Sequence, residues 1–236
     1  MIIMPVMKRF TAPEFWPIET KTKKFVVSPS PGPHAKSRCI PTGLIIRDVL
    51  RYARNINEAK AMLHRGLIKV DGKTRREPNF PVGLMDVFTI GNESHRVLPA
   101  KKGLELVRIG GNEANVKLCR IENKRWVAKK LQINLHDGRN ILADKDEYKT
   151  GDTLVLDLEK NKIKDVIRMK KGSVGLIISG KNSGKLGKID DIVITRGPQP
   201  NKVVLRIGDK PYEISKNYVF VVGHEKPVIS LSDNMV

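Results

Sequence analysis

Aromatic residues are scarce, at 5% of the 236 residues, which argues against a surface that stacks successive single-stranded bases. Cysteine is nearly absent: Cys39 and Cys119 stand too far apart for a C-x-x-C redox or metal motif. His34, His64, His95, His136 and His224 never fall at the spacing of zinc ligands. No stretch of eighteen apolar residues could span a bilayer, and no long amphipathic pattern rich in aromatics would lie on one. The opening MIIMPVMKRF is too short for a secretory apolar region, and its charges follow the apolar run. These absences predict an intracellular, reduced protein with no metal, no cofactor and no membrane, in which the Asn92-Glu93-Ser94 sequon goes unused.

Acidic residues are also few: 25 Asp and Glu face 44 Lys and Arg, for a net charge of +19. The excess is shared by every segment, so no neutral enzyme body carries a basic appendage. Such a surface attracts phosphate backbones through counterion release, and structured RNA held by its backbone fits better than a membrane.

The chain is organised around Pro41–Ile90. Ile46, Val49, Leu50 and Ala53 repeat at i, i+3, i+4 and i+7, which predicts a helix with an apolar stripe. Arg47, Arg51 and Arg54 would form a second stripe of like charge, costly unless it meets a polyanion. A second helix is expected from an N-cap at Asn57 to Gly66, with Ala59, Met62 and Leu63 inward and Lys60, His64 and Arg65 elsewhere. The period then changes to two: Leu67–Val70 reads as a strand, Asp71-Gly72 as a tight turn, and Met85–Ile90 as a further strand. Arg47, Arg51, Lys60, Arg65, Lys73, Arg75 and Arg76 would line one basic edge.

Helix, helix, I-K-V-D-G-K, a basic loop and G-L-M-D-V resemble the RNA-binding module named after bacterial ribosomal protein S-four. In that family the helices and the basic loop lie against structured RNA. Ahead of it, residues 7–40 are broken by Pro13, Pro17, Pro29, Pro31 and Pro33 and show no sustained period, which predicts an extended basic arm that orders on RNA. Phe15, Trp16 and Phe25 could pin this arm to a neighbour, and Lys8 and Arg9 are among its candidate phosphate contacts. K-R-x-x-A-P-x-x-W from Lys8 and S-P-x-P-G-P-H from Ser28 resemble the opening of the archaeal and eukaryotic small-subunit ribosomal protein S-four-e family (S4e). Residues Ala35–Cys39 depart from that family's usual stretch, and Met1–Val6 reads as an extension beyond its usual start.

Past Asn92 come strand-like runs at Leu104–Ile109, Lys117–Ile121, Gln132–Leu135 and Thr153–Leu158, punctuated by Gly110-Gly111, Asp137-Gly138 and Gly151-Asp152. They suggest a small β-barrel or curled sheet. His136-Asp137 belongs to a turn and is not a catalytic pair. Lys171–Ile189 resembles a KOW motif, two strands joined by a glycine-containing basic loop in an SH3-like barrel. Its Lys181, Lys185 and Lys188 supply charge, with Asn182 and Ser183 as neutral donors. Gly175–Lys181 also satisfies G-x-x-x-x-G-K, but Asn182 stands where the magnesium-binding hydroxyl belongs and an apolar strand occupies the loop, so no nucleotide site is expected.

The expected class is therefore α+β, mostly β. It comprises an arm over 1–40, a two-helix module over 41–91, a central β domain over 92–168, a KOW barrel over 169–223 and a tail over 224–236. The resemblance implies a non-catalytic component of the small ribosomal subunit, cytoplasmic and monomeric within the ribosome. Its partners would be small-subunit rRNA and neighbouring ribosomal proteins. The alternatives are an RNA-modifying enzyme, which would need converging carboxylates or a nucleotide site, and a transcription or translation regulator that binds polymerase through its KOW barrel.

Overall fold

The computed structural model describes residues 6–19, 21–208 and 210–232, so Met1–Pro5 of the expected extension lie outside the described residues. The described residues form two compact units: those up to 98 with 102–115, and 99–101 with those from 116 onward. None of their helices is long and apolar enough to cross a membrane.

In the first unit, β1 (Val6–Lys8) pairs antiparallel with β2 (Phe25–Val27). β3 (Cys39–Pro41) leads into α1 (Thr42–Leu44), a wide turn over Ile45–Val49, and α2 (Ile56–His64). Then come β4 (Ile68–Val70), β5 (Lys73–Thr74), β6 (Pro81–Gly83), β7 (Val87–Ile90), β8 (Glu93–Ala100), β9 (Gly103–Ile109) and α3 (Gly111–Ala114). β3 pairs with β6, while the main sheet runs β5-β4-β7-β8-β9. Leu44, Ile45, Ile46, Leu63, Ile68 and Phe88 fill the core between helices and sheet. Burying each such side chain is worth about 2 kcal/mol relative to exposure.

The first helix is shorter than its period suggests. Leu50 N–H donates to the Ile45 carbonyl, five residues back, and Arg51 enters the left-handed region at φ 58°. Ala53 is buried, but from the extended segment beyond the helix, so its place in the i+7 pattern is coincidental. α2 starts earlier than expected: Asn55, not Asn57, is the N-cap, and its Oδ1 accepts from Glu58 N–H at 2.9 Å. Glu58 returns its carboxylate to Arg54 N–H at 2.7 Å, so two otherwise unpaired donors are met. At the other end Gly66 (φ 75°) donates to Leu63 and Leu67 to Met62, which closes the last turn as expected.

The arm is packed onto the rest of the first unit and is not simply extended. Trp16 is buried and its Nε1–H donates to the Cys39 carbonyl at 2.8 Å. Val26 and Ile40 join the same core, and His34 Nε2 lies 3.0 Å from Asp86. Each short segment contributes one or two apolar residues, which is why no period betrays the packing. Phe25, the third expected anchor, is exposed.

Leu104–Ile109 forms a strand as expected, but β8 and β9 belong to the first sheet and not to the central domain. Gly91 (φ 55°) and Asn92 make a two-residue hairpin, which folds β8 back onto β7 with Ile90 opposite Glu93.

The second unit holds two antiparallel sheets. One runs β12-β11-β10-β13-β14, from β10 (Val116–Val127), β11 (Lys130–Leu135), β12 (Asn140–Ala143), β13 (Thr153–Asp157) and β14 (Lys162–Ile167). A bulge between Ile121 and Asn123 bends β10 so that its first half pairs with β13 and its second with β11. The other runs β18-β17-β16-β15-β19, from β15 (Val174–Ile177), β16 (Leu186–Val193), β17 (Lys202–Ile207), β18 (Lys210–Ser215) and β19 (Val219–Gly223). β19 returns beside β15, the strand order of an SH3-like barrel. Arg120 fastens the two sheets, donating to the carbonyls of Asn217 at 2.9 Å and Val219 at 3.2 Å, while His136 meets Phe220 edge-on.

Candidate nucleic-acid interface

Cations can bind a polyanion only where they are exposed and not already neutralised. Arg9 and Arg47 fail this test. Arg9 is 3% exposed, and its guanidinium is held by the Glu19 carbonyl and, at 3.5 Å, by Asp48. Arg47 is also buried and forks onto the same carboxylate at 2.7 and 3.0 Å. Two arginines sharing one aspartate tie the arm to the wide turn, so the expected stripe of Arg47, Arg51 and Arg54 does not exist as a helix face.

The remaining sequence candidates meet it better. Arg51, Arg54, Arg65, Lys73 and Arg76 are exposed, and Lys60 on α2 is half-buried. None of them takes part in the ion pairs of the described residues. Arg75 is half-buried, with its guanidinium 4.2 Å from the centre of the Phe80 ring, a cation–π contact that orients it. The Asp71-Gly72 turn, with both residues at positive φ, sets Val70 opposite Lys73 and places Lys73 at the hairpin end. Lys69 was not among the candidates, although the alternation buried Ile68, exposed Lys69, buried Val70 identifies it. Lys8 is exposed on β1.

In the second unit, the loop from β15 to β16 is drawn tight by Gly184 N–H to the Ile177 carbonyl (2.8 Å) and Ser183 N–H to the Gly180 carbonyl (3.0 Å). Gly180 and Gly184 both have positive φ. A Cβ at Gly187 would lie 2.8 Å from the Arg206 carbonyl, so glycine is needed where the loop re-enters the sheet. Lys181, Lys185 and Lys188 are exposed, and Asn182 is half-buried with Oδ1 3.4 Å from Lys185 Nζ.

His136-Asp137 is structural. The Asp137 carboxylate lies 2.9 Å from Lys117 Nζ, each side chain being 1% exposed. Burial alone would raise the acid's pKa, but Lys117, His136 and Arg139 together hold it down to about 2.

A mostly-β chain that presents unpaired cations from a small helical module and from a glycine-shaped loop has the surface chemistry of a polyanion-binding protein. The model described as Ribosomal family S4e matches residues 91–163, the RS4NT (NUC023) domain residues 6–37 and the S4 domain residues 48–88. The small ribosomal subunit protein eS4 of Methanothermobacter thermautotrophicus is 43% identical over 230 residues, which is 95% of each chain. That of Methanocaldococcus jannaschii is 42% identical, covering 95% of this chain and 96% of its own. The crystal structure of the 30S ribosomal protein S4e from Thermoplasma acidophilum superposes with a TM-score of 0.70 at 32% identity, covering 79% of this chain and 95% of that one. The chain belongs to the ribosomal S4e family.

Proposed function

We infer that this chain is a structural component of the small ribosomal subunit, not an enzyme, and that it binds folded rRNA through its basic surfaces in the cytoplasm. The observation that carries this reading is the match to eS4 proteins along nearly the whole chain, at 43% identity. The exposed, unpaired cations of the helical module and the β15–β16 loop supply its chemistry. Lys and Arg contacts to phosphate position the protein. The shape of the folded RNA supplies most of the discrimination, because the A-form major groove is closed to side chains. Arg51, Arg54, Lys60, Arg65, Lys73, Arg75 and Arg76 form the first surface. Lys181, Asn182, Lys185 and Lys188 form the second, and Lys8 contributes from the arm. Neighbouring ribosomal proteins complete its surroundings, and it acts as a single copy.

Sedimentation of a cell extract through sucrose at low and high magnesium tests this directly. The chain should travel with the small subunit in both conditions and resist a moderate salt wash. Recovery at the top of both gradients would reject the reading.

A further inference from the structure

The outer face of the β10–β11–β12 sheet presents a row of amides. Asn123, Asn134 and Asn140 stand directly opposite one another across the three strands. The next row is Arg125, Gln132 and Leu142, and beyond it Val127 faces Lys130. The opposite face packs Leu131, Ile133, Ile141 and Ala143 into the core, so the amide row is turned to solvent.

Asparagine is depleted in strands because its side chain competes for backbone hydrogen bonds, so three in register are not there for stability. They do not satisfy one another either. Gln132 Nε2 donates to Asn134 Oδ1 at 2.8 Å, and Asn123 Oδ1 accepts from Lys124 N–H. Asn140 and the Asn123 amino group have no protein partner among the described residues. The one carboxylate of the three strands, Glu122 on β10, is taken by the Arg120 guanidinium. Asp144, just past β12, is engaged by Lys130, which leaves Arg125 with no ion pair. Leu142, 59% exposed, gives the row one apolar contact.

We propose that this face is a further RNA site, which takes unpaired bases of a folded rRNA loop and reads their edges through Asn123, Asn134 and Asn140. It rests on the rRNA-binding reading above. Each amide offers both donors and an acceptor, the set needed for base edges, and sequence-selective contacts to RNA fall mainly on unpaired bases. Arg125 meets the adjacent phosphate. A protein partner fits less well: protein interfaces favour aromatic cores, and this face has no aromatic residue.

The test uses the full chain and an in vitro transcript of the small-subunit rRNA from the same organism, probed with dimethyl sulfate. The combined variant Asn123→Ala, Asn140→Ala and Leu142→Ala should raise Kd about tenfold. Because the lost groups are neutral, the slope of log Kd against log salt should stay unchanged. A set of unpaired bases should lose protection in this variant yet remain protected in Arg51→Gly. Asn140→Asp alone, nearly isosteric, should weaken binding in the same direction and guards against misfolding of the combined variant. Unchanged affinity and protections, while the Lys181, Lys185 and Lys188 variant binds more weakly, would overturn the proposal and leave the rRNA reading standing. Normal transcript binding with failed entry into reconstituted subunits would assign the face to a protein and also overturn it. Failure of the native chain to prefer the transcript over unrelated RNA would overturn both.

Discussion

Lys117 and Asp137 hold opposite charges 2.9 Å apart out of contact with water. The acid's pKa of about 2 lies below its ordinary value of 3.8, so the folded state favours the carboxylate. Its contribution is complete above about pH 4 and is lost as pH falls through about 2, on the order of 2 kcal/mol. Asp137→Asn should lower stability at neutral pH by about 3–5 kcal/mol, because it strands the Lys117 charge. It should also flatten the acid limb of urea midpoints taken between pH 5 and 2; an unaltered limb would assign that limb to other carboxylates. Arg51 offers a cleaner separation of fold from function. At φ 58° glycine is preferred over any L-residue, so Arg51→Gly should keep or raise the melting temperature, by relief of about 1 kcal/mol, while weakening rRNA binding. Equal affinity would remove Arg51 from the interface. The positive φ was not readable from the apolar stripe, which ran on into Ala53 although the helix had ended.

At the scale of elements, the β15–β16 loop combines two demands that substitution can divide. Lys181→Ala, Lys185→Ala and Lys188→Ala together should cost about tenfold or more in affinity for rRNA and leave thermal unfolding in place, since all three side chains are exposed. A fall in melting temperature with unchanged binding would make the lysines structural. α2, the Gly66 cap and the Asp71-Gly72 turn were legible because each has a local cause: a side-chain cap, a left-handed glycine, a two-residue hairpin. Trp16, Val26 and Ile40 were not, because their common core is built by residues far apart in sequence. Gly91-Asn92 is a local signal of the hairpin to β8, and a boundary drawn at residue 92 cuts the sheet that β7, β8 and β9 share. Arg9 and Arg47 read as phosphate contacts by composition, whereas only the fold shows Asp48 between them.

For the whole molecule, an excess of 44 basic over 25 acidic residues spread along the chain predicts that no single surface holds all the binding energy. The slope of log Kd against log salt for the native chain should be steep, and each phosphate-contacting cation removed should reduce it by about one unit. Arg65→Ala combined with the three loop substitutions should therefore flatten the slope by the sum of the separate changes. A single group accounting for the entire slope would contradict the multi-surface arrangement. The distribution of charge was fully legible in the sequence; which cations remain unpaired was not, because that depends on where the carboxylates fall.

His34 and Asp86 meet across 52 residues of sequence. At about 5–20 residues per second, the arm therefore leaves the synthesising ribosome roughly 3–10 s before its buried partner exists. During that interval Trp16 and Val26 have no core to enter, and the lysines between them are unencumbered. The segment that ends packed into the first unit begins life as a nascent basic tail, open to proteases, chaperones or nascent rRNA until synthesis passes Asp86.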